Sequence, residues 1–335
     1  MKLRVKLILS ALIIIILIFG GTFSYTFYQL SKIKTTEISK SNEDLGIKVV
    51  EPLKEKGIEE VTEDSNEVIN IVLFGLDRRS KEEPARSDSI MIISIDKKHN
   101  KIKMSSIMRD TYVKVKDHGE TKINHAYAYG GPQLAIRTIN ENFNLDIRDY
   151  VAVDFFNAQE IIDAMGGITI DINQDEIGLL NKYALSVASI EKKSLNEISK
   201  TGPQTLNGLQ AVAYSRIRYT AGGDFVRTER QRTVLAAMLT KMQSLKASEI
   251  PATVSKLLPF TETSMNSMDI IKLGAKVITT NKMKLEQERF PIDGYCKGKT
   301  MNGVWYLMAD MEPTAEQLHT FIYEDIKPVS NAPLF

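Results

Sequence analysis

The chain has 335 residues, 43% of them hydrophobic and 25% charged, enough for one large domain or two small ones with a packed core. That balance excludes a disordered or low-complexity protein, and a formal net charge of +1 gives no whole-molecule field that would attract nucleic acid. Cys296 is the single cysteine, so an intramolecular disulfide is impossible, and the residue reads as a small buried hydrophobe.

The N-terminus comes first in the chain. Lys2, Arg4 and Lys6 precede Leu7 to Tyr28, a run of 22 residues without a charge. At about 1.5 Å per residue such a helix spans a hydrocarbon core of roughly 30 Å. The basic flank leaves residues 1–6 as a cytoplasmic tail and puts everything after about Gln29 outside the membrane. A cleaved signal peptide is the competing reading. No A-x-A-like site and no nearby cysteine for lipid attachment support it, so a retained signal-anchor is expected. A six-residue tail also excludes a cytoplasmic DNA-binding module. Residues 29–67 are polar and read as a stalk.

Order is expected from Val68 onward. VINIVLFGL is a short β-branched, apolar run that predicts a buried central strand. SIMIISID and KIKMSSI flank KKHN and predict a hairpin. Gly130, Gly131 and Pro132 precede a helix over 133–143. YVAVDF then reads as a strand, Asn157 to Met165 as a helix and ITIDI as another strand. Residues 174–200 read as an irregular or partly helical insertion. Helices are expected over 206–215, 228–245 and 268–279, with GVWYLM as a late strand. The pattern predicts a single α/β domain, residues 68–325, with a mixed central sheet covered by helices after the N-terminal transmembrane helix.

Three blocks place charge at the ends of these elements, where an α/β sheet binds ligands. In the first, Asp77 ends the first strand and Asp88 precedes the second. Two carboxylates at one sheet edge suit Mg²⁺, which takes one or two and leaves other positions to water and phosphate. Taken alone, the two read more readily as turn or N-cap residues, common roles for Asp. In the second block Arg109 and Asp110 leave the hairpin, either for a site or as an exposed ion pair. Lys122 and His125 follow, and a lone histidine reads as structural. The third block is AYSRIRYTAGGDFVRTERQ. Arg216 and Arg218 leave one helix, while Arg227 and Arg230 lie three apart on the next, a spacing that shares a helix face. Cations at a helix N-terminus oppose the dipole, which points to a bound anion using N–H groups and guanidinium forks together. The competing reading is a basic face paired with Glu229 and other acids. GGDF is no cyclase signature, because Asp224 runs straight into Phe225 without a second acid and the domain is expected to face away from cytoplasmic nucleotides.

In order, NIVLFGLDRR, ARSDSIMIISID, KIKMSSIMRDTYV, KINHAYAYGG, IIDAMGGITIDI, GLQAVAYSRIR and GGDFVRTERQR cover about Ile69 to Arg232. This series resembles the LytR-CpsA-Psr family of membrane-anchored enzymes of Gram-positive bacteria. The resemblance implies a phosphotransferase on the extracytoplasmic face of the cell membrane. Such an enzyme moves a glycopolymer, whether teichoic acid, capsule or secondary wall polysaccharide, from an undecaprenyl pyrophosphate carrier to peptidoglycan, releasing undecaprenyl phosphate. It further implies Mg²⁺ at Asp77 and Asp88, and pyrophosphate binding by Arg79, Arg109, Arg216, Arg218, Arg227 and Arg230 with Gln231. Asp224 then stands as general base for the acceptor hydroxyl, with Arg109 acting on the reacting phosphate. A prenyl chain would occupy an apolar tunnel in the domain. The family commonly has Pro where this chain has Met108, which predicts a less rigid loop. A lipid pyrophosphate hydrolase and a non-catalytic wall-polymer binder are the alternative functions.

Overall fold

The computed structural model describes residues 34–48, 68–78, 84–218, 223–246, 249–266, 268–270, 273 and 283–331. The expected membrane span 7–28, Arg79 and most of the helix expected over 268–279 lie outside them. Among the described residues no helix is long and apolar enough to cross a membrane.

Thirteen strands are described. In chain order they are β1 Lys34–Thr35, β2 Val68–Asp77, β3 Arg86–Asp96, β4 Lys101–Ile107, β5 Tyr112–Val115, β6 Gly119–Lys122, β7 Asp149–Asp154, β8 Ile168–Ile172, β9 Gly202–Leu206, β10 Glu262–Thr263, β11 Lys284–Phe290, β12 Cys296–Met301 and β13 Val304–Ala309. Seven form one sheet in the order β1-β10-β7-β2-β3-β4-β11. It is mixed: β7 runs parallel to β2 and β11 to β4, while β2, β3 and β4 alternate in direction. The expected central strand and hairpin are present.

Alternation along β2 explains the layers. Val72, Phe74 and Leu76 point to one face, where Ile136, Ile139 and Phe143 of the helix His125–Phe143 pack with Leu318 of the helix Met311–His319. The other face carries Ile69, Ile93, Ile95 and Ile102 against Leu239 of the helix Gly223–Ser244. Helices therefore cover both faces of the sheet.

Four local readings change. ITIDI forms β8, but it pairs with β9 in a separate two-stranded sheet and does not join the central one. The insertion at 174–200 opens with a full helix, Gln174–Glu191, started by a capping box between Asn173 and Glu176. The helix expected from Thr228 begins at Gly223, so Asp224 lies in its first turn. Finally, the part of the stalk over 34–48 is built into the domain. β1 adds parallel to β10, Leu45 is fully buried in the main core, and Asn140 Nδ2 donates to the Leu45 carbonyl at 2.9 Å. Polar composition hid this because the segment docks largely through hydrogen bonds, such as Arg137 Nη1 to the Glu43 carbonyl at 2.7 Å, around buried Leu45 with Ile38 and Ile47 partly buried beside it. Leu45→Ala should therefore destabilise the domain by about 2–5 kcal/mol in urea unfolding, whereas a loose stalk residue would change nothing.

Candidate active site

The cleft is built where β2 and β3 end. Their antiparallel register pairs Gly75 with Ser89 and Leu76 with Ser87, so one extra residue, Asp88, bulges out of the ladder. A bulge re-aims a side chain. Asp77, opposite Arg86, and Asp88 both line a cleft of about 250 Å³ together with Arg86, Arg109, Asp110, Lys122, Asn124, His125 and Arg218.

Arg109 reaches it from the turn after β4. That turn is fixed from three sides: the Met108 N–H donates to the Phe290 carbonyl at 2.9 Å, the Met108 carbonyl accepts from Thr111 Oγ1 at 2.6 Å, and the Asp110 carbonyl accepts from Leu307 at 2.9 Å. Proline at 108 would lose the first bond. Met108 is also buried against Cys296 and Leu307, contacts that seat the turn without a proline. The β5–β6 hairpin then folds back, and Asn124 donates its N–H to the Arg109 carbonyl at 3.3 Å. This return is what brings Lys122, Asn124 and His125 into the cleft.

One guanidinium organises the acids. Arg109 Nη1 is paired with Asp88, its Nε lies 3.4 Å from Asp110 Oδ2 and its Nη2 lies 3.4 Å from Asp224 Oδ1. Burial disfavours its charge, but the carboxylates of Asp224, Asp88 and Asp110 outweigh burial and hold Arg109 above the ordinary arginine value. Asp224 is shared, since Arg227 Nη2 also lies 3.0 Å from its Oδ1. Arg227 is 3% exposed, and burial, reinforced by repulsion from Arg109 and Arg218, pushes it down to about 10. It is still cationic at neutral pH. The Nε atom of Arg227 is buried without a hydrogen-bond partner among the described residues, and that of Arg109 has only the 3.4 Å contact with Asp110. Unsatisfied buried donors on crowded cations are a standing demand for an anion.

Not every expected arginine joins. Arg218 lines the cleft, whereas the Arg216 guanidinium lies 5.2 Å from the Phe155 ring centroid. Arg230 pairs with a different carboxylate from Arg227. Its Nε donates to Glu176 Oε1 at 2.9 Å and its Nη1 to the Ile217 carbonyl at 3.3 Å. Glu176 is a buried residue of the capping box that starts Gln174–Glu191, so Arg230 ties two helices together. Gln231 is half-buried on the same helix as Arg227. Arg230→Ala should cost about 3–5 kcal/mol of stability by leaving Glu176 buried and unpaired, as urea titration would measure.

His125, expected to be structural, is a cleft residue. Thr121 Oγ1 lies 2.8 Å from its Nδ1, and burial followed by the nearby cations Arg86 and Lys122 holds it below the ordinary histidine value, hence neutral at pH 7. Arg86 lies in the charged stretch DRRSKEEPARSD, where nothing local sets it apart from its neighbours, and Asn124 is a lone amide, so the sequence assigns neither to the site. The glycine-terminated HAYAYGG segment directly after Lys122 was the available signal.

Metal ligands were expected at Asp77 and Asp88. Both are hard oxygen donors lining one cleft, and both oxygens of Asp88 are held, Oδ2 by Arg109 and Oδ1 by Asn124 Nδ2 at 3.3 Å. A second convergence, Asp96, His99 and Asp325, lies at the other end of β3. There the Lys103 ammonium, 2.6 Å from Asp96 and 3.3 Å from Asp325, already supplies the positive charge.

Comparison with known proteins decides the family. The LytR_cpsA_psr family model matches residues 25–321. The chain belongs to that family. Family relatives include a polyisoprenyl-teichoic acid–peptidoglycan teichoic acid transferase TagU of Oceanobacillus iheyensis, 31% identical over 90% of this chain and 88% of the relative. Another is the TagU of Bacillus cereus, 29% identical over 91% and 92%. Among family structures, TagT (YwtF) with bound octaprenyl pyrophosphate lipid superimposes with a TM-score of 0.61 at 23% identity, covering 86% of this chain and 99% of that one. At that identity the likeness shows the family fold, a mixed sheet flanked by helices.

Proposed function

We propose that the chain is a phosphotransferase that moves a cell-wall glycopolymer from an undecaprenyl pyrophosphate carrier to peptidoglycan and releases undecaprenyl phosphate. The observation that carries this reading is the gathering of Arg109, Arg218, Asp77 and Asp88, from distant parts of the chain, around one cleft with Arg227 and Asp224 beside it. Its relatives bear the name of that activity. Teichoic acid, capsule and secondary wall polysaccharide are the cargo classes.

The donor's two phosphates replace the carboxylates that Arg109 and Arg227 now hold. An acceptor hydroxyl attacks the polymer-side phosphorus, a new P–O bond forms, the P–O–P bond breaks, and its electron pair goes to the lipid phosphate. Arg109, Arg218 and Arg227 stabilise the charge gathering on that leaving group. Asp224, released as the guanidiniums turn to phosphate, takes the hydroxyl proton. Asp77 and Asp88 are the residues that would hold Mg²⁺, whose charge would further neutralise the pyrophosphate oxygens. Chelation should then lower transfer at least tenfold, with recovery on added Mg²⁺, and Asp77→Ala should raise the Mg²⁺ concentration needed.

The Leu7–Tyr28 anchor places this chemistry at a membrane surface outside the cell. Because β1 already begins at Lys34, the connection from Tyr28 reaches at most roughly 20 Å, much shorter than a stalk ending at residue 67. On this reading the short tether keeps the domain close to the bilayer that carries the donor.

The test is to supply purified full-length protein with lipid-linked donor, with and without peptidoglycan. A transferase forms acceptor-linked polymer. Lipid phosphate released equally without acceptor would establish a hydrolase, and donor binding with no turnover in Mg²⁺ would establish a binder.

A further inference from the structure

The β12–β13 hairpin contributes no residue to the cleft, yet it is fastened to it. Cys296 and Leu307, on one face, pack with Met108 and Phe225, the sequence neighbours of Arg109 and Asp224. Tyr306, on the other face, meets Tyr112 edge-on at 5.0 Å and lies 5.7 Å from the ammonium of Lys122, a cleft residue. This hairpin cannot move without moving the site.

Next to Tyr306 stands Trp305, the single tryptophan of the chain and 40% exposed. Its indole lies against β12: a Cβ added at Gly298 would fall 2.8 Å from Nε1, 3.1 Å from Cζ2 and 3.2 Å from Cε2. The glycine thus gives the ring a close backbone backing. Val304, next to it in sequence and on the other face of the pleat, is also exposed at the hairpin tip. Lys297 and Lys299 flank Gly298, both exposed, and neither has an acidic partner among the described residues. Trp305 and Gly298 share one face of the pleat and the two lysines the other, so a polymer laid over the hairpin edge meets both.

We propose that this hairpin is the platform for the acceptor strand, an amino-sugar glycan bearing peptide carboxylates. Trp305 stacks on the C–H face of a sugar ring and Lys297 and Lys299 engage the carboxylates. The assignment rests on the transferase reading above. One observation favours the acceptor over the donor's own glycan: the hairpin is tied through Phe225 to Asp224, the group that takes the acceptor's proton, whereas the lysines suit any anionic polymer.

Trp305 reports on its own occupancy. Soluble muramidase fragments of peptidoglycan, added to the full-length protein, should change tryptophan emission saturably, whereas lipid-free donor polymer should not. In transfer assays Trp305→Ala should raise the KM for peptidoglycan about tenfold and leave the donor KM unchanged, while Trp305→Phe stays near wild type. Lys297→Ala with Lys299→Ala should weaken binding of fragments that carry stem peptides and spare fragments stripped of them. The proposal is overturned if saturating fragments leave the emission unchanged, if donor polymer alone produces the change, or if Trp305→Ala keeps its acceptor KM within twofold. The emission titration decides the platform even if the wild-type protein transfers nothing, an outcome that would instead defeat the transferase reading.

Discussion

Arg109→Ala should lower kcat/KM for transfer roughly 10²–10³-fold or more, the loss expected when one preorganised donor to a transition-state oxyanion is removed. Two effects add in the same direction. The variant removes a cation that the donor pyrophosphate needs, and it leaves Asp88, Asp110 and Asp224, which now share that guanidinium, facing one another. Asp110 keeps Lys122 at 2.6 Å and Asp224 keeps Arg227 at 3.0 Å, but Asp88 loses its cation, and that bare carboxylate repels an anionic substrate, so the donor KM should rise as kcat falls. Arg109→Lys restores the charge but not the fork that reaches all three acids, and should recover only part of the loss. Circular dichroism and steady-state transfer kinetics on the purified variants would check this.

Asp224→Asn should give the opposite split. Loss of the proton acceptor lowers kcat by about 10²–10⁴. The donor KM should hold or fall, because removing that carboxylate leaves Arg109 and Arg227 more exposed to each other and more in need of an anion. Arg227 is already pushed down to about 10, first by burial, with Asp224 the carboxylate that supports its charge. A variant with lower kcat and a raised donor KM would show instead that Asp224 only positions the arginines.

Much of this arrangement was legible because it is carried by local pattern. The β-branched run Val68 to Leu76 and the hairpin around KKHN follow from short-range composition, and they deliver Asp77, Asp88 and Arg109 to one edge of the sheet. Residues whose roles depend on distant partners were not legible. The i, i+3 spacing of Arg227 and Arg230 predicted a shared ligand, but Arg230 answers to Glu176, 54 positions away, and nothing local announces that pair. The helix Gln174–Glu191 was hidden by its polar face, although buried Leu180, Ala184, Val187 and Ala188 recur at helical spacing. Leu45 was lost in a polar stretch because a single buried side chain has no period. His125 carried no signal of its own, and the short β5–β6 hairpin that returns the chain to the cleft goes unread in the sequence.

The central claim is that the guanidiniums of Arg109, Arg218 and Arg227 receive a pyrophosphate. A crystal structure of the protein with a polyprenyl pyrophosphate tests it most directly. The account predicts the two phosphates among these three side chains, with Arg109 turned from its carboxylates toward phosphate oxygen and the Asp77–Asp88 wall facing the same group. Phosphates seated elsewhere, with Arg109 still paired to Asp88 and Asp224, would contradict it.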